Sequence, residues 1–175
     1  GYEEKIKINW CEKIKPEDTV ILAGDFSWGM YIEETIPDFN FLEALPGKKL
    51  MVKGNHDYWW ETLSKMNLFL QNNEIKNIQF LQNNHFVYDN IAICGTRGWS
   101  LEGEDYQKMI SRETARLKLS LASAPQDTDK FVFLHYPPIS ATQECEEILS
   151  VLKEFPVKRC YFGHLHGFIA PENAK

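Results

Sequence analysis

Asn55, His56 and Asp57 stand side by side in the stretch "KGNHDYWW", directly after the apolar run "KLMV" of residues 49–52. An amide oxygen, an imidazole and a carboxylate at one turn can ligate a cation, move a proton and orient one another. The arrangement recurs along the chain. "VILAGD" delivers Asp25, "FVFLH" delivers His135, and "CYFGHLH" delivers His164 and His166. Gly24, Gly54 and Gly163 each precede a donor, where a backbone without Cβ can turn sharply or approach another chain closely. Ligand sites in open α/β sheets form outside the carboxyl ends of the strands. Four separate apolar runs therefore aim oxygen and nitrogen donors at one edge.

Each donor also has a plain reading. Asp25, Asn55 and Asp57 are ordinary turn formers, and His135, His164 and His166 suit strand ends. Taken together they are harder to dismiss, since four of the 5 histidines occupy such ends and only His85 lies elsewhere. Apart from Cys160 nearby, the set contains no thiolate. A structural zinc site would favour several cysteines in a closed tetrahedron. A mixed nitrogen and oxygen set suits Mn, Fe, Zn, Co or Ni, in the manner of catalytic sites that leave room for water.

The elements that position these residues alternate in type. "TVILAGD", "KKLMVKGNHD", "KFVFLHYPP" and "KRCYFGHLHG" read as strands, the first of them buried on both faces. "YIEETIPDFNFLEAL", with Pro37 interrupting or restarting it, "WETLSKMNLFLQ", Tyr106 to Ala122 and "CEEILSVLKEF" read as helices. "YEEKIKINWCEKI" fits a helix only loosely. "NIQFL", "HFVY" and "IAICG", separated by Asn-rich turns, read as an antiparallel meander. Alternation of this kind implies an α/β fold with largely parallel central strands.

A chain of 175 residues, 43% of them hydrophobic, has length for one domain with a core, which is the expectation for residues 1–175. No apolar run approaches the roughly 20 residues of a membrane span. The net charge of -6, with lysines spread rather than clustered, gives no call for nucleic acid. Cys11, Cys94, Cys145 and Cys160 form no C-x-x-C pair, which suits reduced thiols and a cytoplasmic protein.

Gly24-Asp25, Gly54 to Asp57, a lone His135 after an apolar strand, and "GHLH" at Gly163 to His166, in that order, resemble the calcineurin-like metallophosphoesterases. The similarity spans Thr19 to Gly167. It implies a four-layer α/β/β/α sandwich of mixed sheets and two divalent transition-metal ions (Mn, Fe or Zn) at the strand ends. It implies that Asp25 bridges the ions, that Asn55, His135 and His164 complete one ligand set, and that His166 serves the other. It makes His56 catalytic, facing the substrate and assisting the leaving group, with Asp57 hydrogen-bonded to it. A phosphate mono- or diester would be attacked by a metal-bridging hydroxide, and no nucleophilic serine or cysteine is offered at these turns. The partner is then a phosphorylated substrate. The competing reading keeps the fold as a non-catalytic protein-binding platform; His56, which no metal needs, favours the enzyme.

The family's opening D-x-H motif is absent from this chain, so one ligand set is incomplete. We expect the chain to be a segment of a longer one, with its first strand upstream and further strands after "PENAK". Trp28, Trp59, Trp60 and Trp99 fall near the expected site. They suit either the packing of following helices or an aromatic wall for a leaving group. Arg97, in "GTRGW", is a candidate clamp for a phosphate oxygen.

Overall fold

The computed structural model describes residues 1–100, 105–140 and 143–166; "PENAK" lies outside them. The element order is α1 (Tyr2–Lys13), β1 (Thr19–Leu22), α2 (Ile36–Glu43), β2 (Lys48–Met51), α3 (Leu63–Asn72), β3 (Ile78–Phe80), β4 (His85–Tyr88), β5 (Ile91–Thr96), α4 (Tyr106–Ser123), β6 (Asp129–Leu134), α5 (Glu146–Glu154) and β7 (Arg159–Phe162). A short 3-10 turn, Ile32–Thr35, leads into α2, and Pro37 sits in the first turn of α2, where its missing N–H costs no helical bond. Thr62 caps α3 by accepting from the Lys65 N–H.

Two sheets form, ordered β1-β2-β3 and β4-β5-β6-β7. All pairs are parallel except the β4–β5 hairpin. The expected three-piece meander is corrected here: β3 pairs in parallel with β2 in the first sheet, and only β4 and β5 are antiparallel. Local turn chemistry suggested a hairpin at Asn83-Asn84, and Asn83 does take a left-handed φ of 60°. That turn carries the chain from one sheet to the other, because Ile78 and Phe80 bury against α2 and α3 rather than beside β4.

Alternation along the strands divides the core in three. Met51, Ile78 and Phe80 pack with Phe39 of α2 and with Met66, Phe69 and Leu70 of α3. Cys94, Val132 and Leu134 pack under Ile110, Leu117 and Leu121 of α4 and Ile148 and Val151 of α5. Leu50, Val52, Leu81 and Ile93 fill the space between the sheets. The layers therefore run helix, sheet, sheet, helix, as expected. Helix α1 buries no residue of its own and is anchored by Trp10, whose Nε1 donates to the Pro46 carbonyl at 2.9 Å. No helix among the described residues is long and apolar enough to cross a membrane.

Register sets where the chain leaves each strand. Leu22 lies opposite Met51 and Met51 opposite Phe80, while Thr96 lies opposite Leu134 and Leu134 opposite Phe162. The segments carrying Asp25, Asn55, His135 and His164 thus leave from the carboxyl edges of the two sheets.

Candidate metal centre

His135 is the hub. It is buried, and its Nδ1 lies 2.7 Å from the Ala23 carbonyl, which can only accept, so Nδ1 carries the proton. Its Nε2 faces Asn55 Oδ1 at 2.6 Å, His164 Nδ1 at 3.2 Å and Asp25 Oδ2 at 3.5 Å. Oxygen and nitrogen donors converging on one point in this way are the mixed set that suits a divalent transition metal. Asp25, His135 and His164 offer ligand atoms within 4.8 Å of one another, and Asn55 adds a neutral oxygen.

The backbone around this point is held under constraint. Asp25 and His164 take left-handed φ values of 57° and 65°, a conformation unfavourable for residues with a Cβ and concentrated at functional sites. Gly54 makes room for the Asp25 carboxylate, since a Cβ there would lie 2.1 Å from Oδ1. The same carboxylate oxygen accepts from the His56 N–H at 2.9 Å.

Asp57 was expected to orient His56, and the structure corrects this. Its carboxylate is buried and accepts from the N–H groups of Asp25, Phe26 and Gly54 at 2.9, 2.8 and 2.7 Å, and from Trp59 Nε1 at 3.2 Å. Those donors point inward from both loops, so the carboxylate turns toward them and away from the neighbouring imidazole. Asp57 is a clamp between the turn after β1 and the turn after β2. Its sequence signal, a carboxylate in a turn three residues after a glycine, is shared by countless surface turns.

The His56 ring makes no hydrogen bond among the described residues, and its Nδ1 is buried without a partner. It lies 5.1 Å from the Trp28 ring and 6.1 Å from that of Tyr58. His166 is exposed and outside the three-residue cluster. Burial, and then the neighbouring His135, lower the pKa of His164 and favour the neutral, ligating form. Sequence reasoning missed Tyr136, whose ring centroid lies 4.4 Å from that of His164; only its adjacency to His135 pointed to it.

The tryptophans divide. Trp59 is core, 1% exposed, and Trp60 donates Nε1 to Gln82 at 2.7 Å. Trp28 stands 80% exposed beside His56. Trp99 lies under the Arg97 guanidinium, 4.3 Å from ring centroid to Cζ. The Arg97 carbonyl accepts from the His135 and Tyr136 N–H groups, while its guanidinium points to Glu113, 3.8 Å away. The backbone of Arg97 thus supports the site, and its side chain does not join the donor cluster.

The chain matches the calcineurin-like phosphoesterase family over residues 5–168, and it belongs to that family. Two solved structures are similar to it. One is phosphopantetheinyl hydrolase from Mycobacterium tuberculosis, at 12% identity and a TM-score of 0.57, covering 89% of this chain and 76% of that one. The other is a protein of unknown function from Aquifex aeolicus, at 21% identity and a TM-score of 0.43, covering 93% and 75%. The likeness to the Mycobacterium tuberculosis structure, at its identity, speaks to the fold alone. Among curated proteins none matches the chain.

Proposed function

We propose that the protein hydrolyses a phosphate mono- or diester with the help of divalent transition metal, Mn, Fe or Zn. The observation that carries this reading is the convergence of Asn55 Oδ1, His164 Nδ1 and Asp25 Oδ2 on His135 Nε2. Asp25, Asn55, His135 and His164 would hold one ion, and Asp25 and His166 would begin the ligand set of a second. Bound there, divalent metal would make hydroxide available near neutral pH and screen phosphate charge.

The remaining work falls to this chain's own residues. As an oxygen from water bonds to phosphorus, the bond to the leaving oxygen breaks, and that oxygen takes a proton from His56. The imidazole is available for this, since it makes no hydrogen bond among the described residues. Asp57 keeps the two catalytic turns in register by its backbone bonds. The four free thiols suit a reducing, cytoplasmic compartment.

The test is to strip the protein with chelator, reload it with Mn, Fe or Zn, and assay a panel of phosphate mono- and diesters. Turnover should appear only on reloading. Absence of turnover with every metal and ester, in protein that does bind metal, would overturn the reading.

A further inference from the structure

The metal donors leave from β1 and β2 in one sheet and from β6 and β7 in the other. The segments that follow β2, β3 and β5 enclose something else. Between them and α4 lies a cavity of about 310 Å³, lined by Lys53, Arg97, Arg116, Glu113, Thr96 and Glu61 among others. Asp25, Asn55, His135 and His164 are not among its walls. Lys53 nonetheless stands two residues before Asn55, so cavity and metal donors are neighbours.

Its charges do not balance internally. Glu113 is fully buried and committed: it accepts from Thr96 Oγ1 at 2.5 Å and from Arg116 at 2.6 Å, with Arg97 at 3.8 Å. Glu61 is 45% exposed and pairs with Lys65. Two guanidinium groups thus share one carboxylate. Lys53 makes no hydrogen bond or ion pair among the described residues. Among the described residues Arg97 Nε is buried without a partner, and its guanidinium is held over Trp99. A buried, unpaired donor on a fixed guanidinium is suited to an acceptor oxygen. Planar guanidinium forks and a mobile ammonium are the groups that recognise tetrahedral oxyanions.

We propose that this cavity is a binding site for a phosphate-class oxyanion, separate from the metal donors and independent of metal. The anion is either free phosphate or a second phosphate of the substrate, beyond the one hydrolysed. The second source rests on the proposed phosphoesterase function, whereas the site itself does not.

Titration calorimetry with inorganic phosphate, in chelator, tests the site on the whole chain. Wild type should bind one phosphate. Lys53→Met, which removes no internal bond, should weaken binding at least tenfold, as should Arg116→Gln at a half-exposed position. His164→Ala should leave it unchanged, and thermal melts establish that each variant is folded. No phosphate binding by chelated wild type at millimolar concentration overturns the proposal. So does binding that falls in His164→Ala but not in Lys53→Met.

The source is then read in Mn-loaded protein with alkylene bisphosphonates of increasing linker length. An optimum length that binds at least tenfold tighter than phosphate, and loses that gain in Lys53→Met, identifies a second substrate phosphate. Affinity that depends on Lys53 but not on length identifies free phosphate. Bisphosphonate affinity indifferent to Lys53 overturns the assignment of a second substrate phosphate to this cavity.

Discussion

His56 and Asn55 adjoin in sequence, yet the tasks proposed for their side chains differ, and substitution should separate them. Asn55→Ala removes an oxygen that faces His135 Nε2. We expect metal retained after gel filtration to fall at least tenfold, measured by elemental analysis. His56→Ala should leave metal content unchanged and lower turnover by about 10²–10⁴-fold for poor alkoxide leaving groups, the range of general-acid help. The loss should shrink for p-nitrophenolate, which departs without a proton; equal losses would assign His56 to electrostatic positioning instead. Asp57→Asn keeps the shape and loses the charge that five N–H donors address. Hydrogen bonds to a charged group are worth about 1.5–3 kcal/mol. We expect destabilisation of at least that order in urea unfolding, with metal retention falling alongside it.

Turns, rather than strands, decide whether the donors meet. The strand after Lys48 ends at Met51, and four further residues bring Asn55 to the edge through Gly54. A methyl group at position 54 collides with the Asp25 carboxylate, so Gly54→Ala should preserve the far-UV circular dichroism spectrum while lowering metal retention at least tenfold. A variant that binds metal normally would show the turn to be more yielding than its geometry implies. The edge itself was legible in the sequence, because apolar runs ending in Asp25, Asn55, His135 and His164 state both the strand and its exit. The destination of β3 was not legible. "NIQFL" and "HFVY" flank an Asn-Asn turn that reads as a hairpin, and only the burial of Ile78 and Phe80 under α2 and α3 places β3 in the other sheet. Asp57 was misread for a related reason. Adjacency to His56 was visible in the sequence, whereas the backbone N–H groups of residues 25 and 26 came into reach only by folding.

At the scale of the whole molecule, burial sorts the thiols. It pushes Cys94 up to about 11 and Cys160 up to about 12, raises Cys145, and leaves Cys11 exposed on α1. Iodoacetamide at pH 8 should therefore modify one thiol per native chain, at Cys11, and all four after denaturation, as counted by mass spectrometry. The donors around His135 have a different consequence at this scale. Ala23 and His135 are 112 residues apart along the chain, and Asn55 and His135 are 80 apart. Bringing such distant points together carries an entropy of loop closure, and contacts of long sequence separation form slowly. A cation held there would tie the two halves of the chain like a removable cross-link absent from the unfolded state. At a free concentration one hundred times its dissociation constant it would add about 2.7 kcal/mol to the unfolding free energy. The melting temperature should then climb with the logarithm of metal concentration, making thermal stability a gauge of how well the site has assembled.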